Sequence, residues 1–189
     1  MVRKKLQFIY KFIISKLFQI IYGKIFFLNQ NDSDVKLKDV NKGENYYKFI
    51  EINNGRIFTD YIEHVAIINK NQIMDFVSYQ QVKGVFKDPT FNVVIKKGTP
   101  KFKKKFNGKV FSLVQGASGN NNYFHWMFDI LPRLIILEKF YNLNDINFFY
   151  CPQIKPWQLS TLSIFNIGDD KLINSNLHRH IQADKILAV

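Results

Sequence analysis

Between Gly119 and Glu138 the chain reads Gly-Asn-Asn-Asn-Tyr-Phe-His-Trp-Met-Phe-Asp-Ile-Leu-Pro-Arg-Leu-Ile-Ile-Leu-Glu, an apolar run interrupted by His125, Asp129, Pro132 and Arg133. On a helix, residues four apart share one stripe, so a base, an acid and a cation line up in apolar company. Burying such groups unpaired is expensive, so the segment builds either a local ion network or a reaction site. Pro132 adds a second constraint. It has no N–H for the carbonyl four residues back, so the helix must kink or restart near it and expose backbone polar groups beside Asp129.

The flanks set the fold class. Lys109–Val114 reads as a buried strand, Gly116–Asn120 as a turn and Asn121 to about Leu143 as a long helical region. Ile146–Tyr150 then reads as a strand, Pro156–Phe165 as a helix with Pro156 near its first turn, and Lys171–Ile173 and Lys185–Val189 as strands. That alternation predicts an α/β chain with a Rossmann-like parallel sheet over residues 101–189. A helix that follows a strand in such a sheet starts at the carboxyl edge, so the turn from Gly116 to Asn122 offers free backbone amides to a substrate oxygen. Residues 49–100 break into shorter pieces, Arg56–Thr59, Val65–Ile68, Ile73–Val77 and Phe91–Ile95, with a hairpin turn at Asn69–Gln72. They predict a small β-rich, mostly antiparallel subdomain. Residues 29–48, rich in Asn, Asp, Lys and Gly without either period, are expected to be a linker, and Lys101–Lys105 a solvated connector.

Residues 1–28 form a further unit. Leu6, Ile9, Ile13, Leu17 and Ile20 recur at helical spacing, while Lys11, Lys16 and Lys24 interrupt the apolar run. Spanning a bilayer takes roughly 18 uninterrupted apolar residues, so a basic amphipathic helix lying in the membrane interface is expected, with packing on the protein body as the competing reading. Neither a clean apolar core nor a small-x-small cleavage site marks a signal peptide.

Composition removes several functions. With 189 residues, 47% of them apolar and 16% aromatic, the chain buries a substantial core and is not disordered. Its formal net charge of +12 comes almost wholly from lysine, the arginines being Arg3, Arg56, Arg133 and Arg179. Bidentate reading of nucleic acid favours Arg, so no nucleic-acid partner is expected. Cys151 is the single cysteine, which excludes internal disulfides and Cys-based zinc sites and suits a reducing, cytoplasmic setting. Gly116-Ala117-Ser118-Gly119-Asn120 lacks the closing glycine of a nucleophile elbow, and the turn has neither the dinucleotide fingerprint nor the P-loop lysine. Asp32-Ser33-Asp34 reads as a solvated loop, His64 as a strand-end residue, and His178 and His180 as a surface pair on one strand face without a third ligand. No metal or other cofactor is expected.

Two readings of His125, Asp129 and Arg133 stay open on spacing alone. In one, Asp129 and Arg133 form an intrahelical pair worth about 0.3–0.5 kcal/mol and His125 caps the row. In the other, a carboxylate beside an imidazole abstracts a proton from a hydroxyl. Tyr123 and Trp126 either pack in the core, the favoured reading, or shape a cleft.

The block Asn122-Tyr123-Phe124-His125-Trp126-Met127-Phe128-Asp129-Ile130-Leu131-Pro132-Arg133-Leu134 closely resembles the signature of glycosyltransferase family 61, the DUF563 group: Asn-Tyr/Phe-His-Trp, then Asp, then Leu-Pro-Arg-Leu. Gly55–Thr59, Val65–Ile68 and Lys109–Leu113 resemble the upstream part of bacterial members, and the similarity spans residues 45 to 189. The resemblance implies the first lobe of a two-lobed GT-B enzyme that moves a hexosyl or pentosyl group from a nucleotide sugar to a hydroxyl of a glycan, lipid-linked or protein acceptor. Its setting would be bacterial cell-surface polysaccharide or lipopolysaccharide synthesis, peripheral on the inner membrane. His125 or Asp129 would be the base or its orienter, Arg133 a charge partner, and Asn121, Asn122, Tyr123 and Trp126 substrate contacts, with no metal required. The family continues into a second lobe where this chain stops, so a fragment or half of a split enzyme with little activity alone is expected, a separate chain supplying the rest. The alternative is a non-catalytic carbohydrate- or membrane-binding module.

Overall fold

Period-two alternation in the second half of the chain builds the centre of the molecule. In β8 (Lys104–Ser112), β9 (Phe148–Cys151) and β11 (His180–Ala188), neighbouring residues go to opposite faces: Val110, Tyr150 and Ile186 to one core, Phe111, Phe149 and Leu187 to the other. Both faces are therefore dry, as a parallel sheet requires. The structure, a computed structural model, describes residues 2–27, 34–42, 45–61, 64–78, 80–82, 85–114 and 122–189.

Among the described residues one mixed sheet of 11 strands runs through the chain. Its parallel part has the order β10 (Leu172–Asn174), β9, β8, β11. The remaining strands are β1 (Val35–Lys42), β2 (Asn45–Asn53), β3 (Arg56–Tyr61), β4 (His64–Asn69), β5 (Gln72–Ile73), β6 (Gln80–Val82) and β7 (Val85–Lys87), all paired antiparallel among themselves. The two parts meet on β11. Its first half pairs antiparallel with β3 and its second half with β2, in unbroken register: Asn53 faces Lys185 and Arg56 faces Gln182. β2 and β3 are thus one long strand interrupted at Asn54 and Gly55, Asn54 taking φ +52°. A Cβ on Gly55 would lie 2.9 Å from the Ile186 side chain and 3.0 Å from that of Ile52, so the packing of these two isoleucines over the interruption requires glycine. The β-rich region and the parallel region are therefore one sheet.

Helices cover one face of the parallel part. The segment from Tyr123 to Leu137 and α5 (Pro156–Ser163) contribute Trp126, Ile130, Leu134, Leu137 and Leu162 to a single cluster with Phe111, Phe149 and Leu187. Across the sheet, Val110, Tyr150 and Ile186 pack with Ile57, Val65 and Ile67 from the antiparallel strands. The fold is mixed α/β with parallel strands, and its helical layer lies on one side.

Four expectations need correction. Residues 29–48 are not simply a linker, because β1 and the start of β2 form a hairpin there. Lys36 and Lys38 share their face with Val40 while Asp39 shares the other with Val35 and Leu37, so neither face of this edge strand shows an apolar period, and charges of this kind guard edges against pairing. Phe91–Ile95 is not a strand: Asn92 accepts a hydrogen bond from the Val94 amide and starts α2 (Val93–Lys97), which Gly98 ends at φ +66°. The strand expected at Ile73–Val77 stops at Ile73, before Phe76 at φ +63°. The connector at Lys101–Lys105 supplies the first residues of β8.

The first helix, α1 (Val2–Tyr22), joins the body through its last two turns. Ser15 Oγ and Gln19 Nε2 donate to the carbonyls of Lys97 and Lys96, which end α2. Phe18 meets the Phe102 ring edge-on at 5.1 Å, and Tyr22 lies edge-on to His180 at 5.0 Å.

Candidate functional site

β8 ends at Ser112, and the chain becomes helical again at Tyr123. The turn between, with Gly116–Asn120 and Asn121, lies outside the described residues. Asn122 is the N-cap, its side-chain oxygen accepting the Phe124 amide at 2.9 Å. One α turn, α3 (Tyr123–His125), gives way to a π turn over Trp126–Ile130, closed by the Leu131 amide on the Trp126 carbonyl. α4 (Leu131–Leu137) then restarts with Pro132 in its first turn. The break expected from Pro132 is present. It takes the form of an inserted π turn, a device common at functional sites.

The wider turn decides who pairs with whom. His125 Nδ1 donates to Asp129 Oδ2 at 2.6 Å. No ion pair joins Asp129 to Arg133 among the described residues, so the intrahelical pair expected there is replaced by the imidazole–carboxylate pair. Asp129 is 39% and His125 25% exposed on the side chain, so the pair is open to water. With its Nδ1–H held by a carboxylate, the imidazole keeps Nε2 as the free lone pair, and no described protein group bonds it. The arrangement can take a proton from a hydroxyl that approaches Nε2.

Arg133 sits one turn further on, with part of its surface in solvent. Protein nevertheless packs closely around the guanidinium, and burial lowers its pKa to about 10 against the opposing pull of Asp129. Among the described residues it makes no hydrogen bond or ion pair, which leaves its fork of donors for an anion.

Tyr123 is exposed and packs at 5.4 Å on Trp157. Trp126 is fully buried, its indole N–H donating to Thr161 Oγ1 at 2.7 Å, so its place is the core and not a cleft wall. The residues that sequence reasoning passed over are Phe124 and Phe128. They form an exposed aromatic shelf with ring centroids 4.8 Å apart, and Phe124 meets His125 edge-on at 5.8 Å. Their i,i+4 spacing, off the Trp126–Ile130–Leu134 core stripe, was the available signal.

The other histidines take different places. His180 is buried rather than on the surface, because β11 starts there and turns the ring under Tyr22 and Phe58. Its Nδ1 donates to the Lys101 carbonyl, and burial, the largest influence, lowers its pKa to about 4. His178 stays partly exposed, 3.4 Å from the Lys104 amine. Asp34 pairs with Lys70 at 3.0 Å, while Asp32 and Ser33 lie outside the described residues. No cluster of three or more metal-ligating side chains occurs among the described residues. Two described cavities, each somewhat over 400 Å³, lie elsewhere. One is beside Tyr141 and Phe165, the other between the end of α1 and the sheet, where Arg56, Asn69, Lys103 and Gln182 line it.

Comparison with known proteins gives no significant match to a family model, a curated protein or a solved structure.

Proposed function

We propose that the chain is a glycosyltransferase resembling family 61, moving a hexosyl or pentosyl group from a nucleotide sugar to an acceptor hydroxyl on a glycan, lipid or protein. The observation that carries this reading is the His125–Asp129 pair, open to solvent, one turn from an Arg133 that pairs with no carboxylate among the described residues, inside a block that resembles that family's signature. In the proposed reaction His125 Nε2 takes the acceptor proton while the acceptor oxygen bonds to the anomeric carbon. The bond from that carbon to the phosphate oxygen breaks with both electrons going to the nucleoside diphosphate. Asp129 orients the imidazole and opposes the imidazolium charge, and Arg133 opposes the charge of the departing diphosphate. Strand order supports the placement: β9 and β10 lie to one side of β8 and β11 to the other. Ligands of parallel sheets bind at the carboxyl edge near such a reversal. The parallel strands and their helical layer would then belong to the first lobe of a GT-B enzyme.

Incubation with a panel of nucleotide sugars and acceptor glycans, read by mass spectrometry, tests the reading. Slow addition of one hexose or pentose is expected, in keeping with the little activity expected of a first lobe, and it should fall about 100-fold or more in His125→Gln, in line with the usual contribution of a general base. Asp129→Asn should lower it as well. Transfer that persists at the original rate in both variants would remove this pair from the chemistry.

A further inference from the structure

Helix α1 has two faces, and only one is used by the fold. Phe18, Ser15, Gln19 and Tyr22, which dock on α2 and the start of β8, fall along one side of a helix that turns 100° per residue. On the opposite side Leu6, Ile9, Tyr10, Ile13, Leu17, Ile20 and Ile21 form an unbroken apolar stripe, each 47–82% exposed. No lysine falls within that stripe. Lys5 and Lys16 lie along one edge of it and Arg3 along the other, while Lys4 and Lys11 fall on the docked side. Val2–Tyr22 contains no acid. No described helix is long and apolar enough to cross a membrane. Yet seven contiguous exposed large apolar side chains are more than a soluble surface ordinarily carries.

We propose that α1 seats the protein on an anionic lipid bilayer, lying in the interface with its stripe in the acyl boundary and its lysines at headgroup level. Charge selects this occupant. A second copy of the chain would bring two acid-free, lysine-rich helices together, whereas anionic headgroups complement them. The docked end continues the pattern: Ile21, the last stripe residue, also lines the cavity that holds Arg56 and Lys103. The contacts of Ser15, Gln19 and Tyr22 fix the helix to the body, so binding through the stripe sets the orientation of the whole domain on the surface.

Flotation of the full chain with vesicles tests this. The protein should float with phosphatidylcholine vesicles containing phosphatidylglycerol, less with phosphatidylcholine alone, and less as salt rises. Ile13→Asp with Ile20→Asp should reduce partitioning about tenfold or more, because binding scales with the apolar area inserted. Both side chains are already exposed, so circular dichroism and thermal midpoint should not change. Should the double variant misfold, Tyr10→Trp supplies an independent readout: its emission should shift to the blue when anionic vesicles are added, and an unmoved spectrum overturns the proposal. Failure of the original chain to float overturns it too, as does undiminished flotation of the folded double variant. A dimer in light scattering that Ile13→Asp and Ile20→Asp dissociate, without flotation, would assign the stripe to a second copy. Glycosyl transfer does not enter any of these readouts.

Discussion

Glu51 is the joint between the two parts of the sheet, and removing its carboxylate should be costly. Its side chain is 5% exposed and holds three partners: Lys185 of β11 at 2.7 Å, Lys36 of β1 at 3.8 Å, and the Tyr141 hydroxyl, which donates at 2.5 Å from the turn after α4. Burial works to raise the carboxyl, but the bonds from Lys185 and Tyr141 and the charges of Lys185 and Lys36 outweigh it and hold Glu51 below the ordinary carboxylate value. Glu51→Ala breaks two charge-assisted bonds, each worth about 1.5–3 kcal/mol. Lys185 is 27% exposed and regains some hydration, so the lower end applies and the loss should be about 3 kcal/mol. For a chain of this size that corresponds to a fall in Tm of roughly 6–12 °C. Differential scanning calorimetry reads the shift, and a double-mutant cycle with Tyr141→Phe should give a coupling of at least about 0.5 kcal/mol. A fall in Tm under about 3 °C, or additive single variants, would refute the view that this carboxylate ties the helical segment to both halves of the sheet.

His180 should make stability pH-dependent. Its pKa is lowered from 6.5 to about 4, so the unfolded chain binds the extra proton first, and stability present above pH 6.5 is lost as pH falls towards 4. The total should be on the order of 3 kcal/mol, and His180→Phe should flatten that part of a Tm-against-pH curve. Trp126→Phe removes the bond to Thr161 and part of a fully buried ring, which should cost about 1–3 kcal/mol in urea unfolding without abolishing the fold. Unchanged stability would contradict its core placement. The Cys151 thiol, buried and raised to about 12, should react with a thiol reagent only as fast as the chain unfolds.

The parts of this fold that read directly from the sequence are those where burial leaves a period. The second halves of β8 and β11, and β9, alternate between two dry faces, and α5 begins at the proline that marks it, whereas the first half of β11, His180 to Asp184, with only Ile181 and Ala183 apolar, left no such period. β1 did not read directly, because Lys36 and Lys38 interrupt the face of Val40 and Asp39 that of Val35 and Leu37, so neither face carries an apolar period. α2 was hidden by its length, since five residues of Val, Ile and Lys fit a strand as well as a helix until the Asn92 cap is seen. In the candidate site, Pro132 announced the break in the helix. Which carboxylate partner won was set by the extra residue of the π turn, and spacing counts alone cannot supply that. The use of Ser15, Gln19 and Tyr22 to dock α1, leaving its apolar stripe outward, depends on tertiary contacts more than seventy residues away in the chain.

Calorimetric titration of the purified chain with nucleotide sugars, repeated on Arg133→Gln, tests the central claim most directly. The account predicts saturable binding that the free nucleoside diphosphate competes away and that Arg133→Gln weakens about tenfold or more, as expected for a lost charge-assisted phosphate contact. Absence of binding, or binding that Arg133→Gln leaves unchanged, would contradict it.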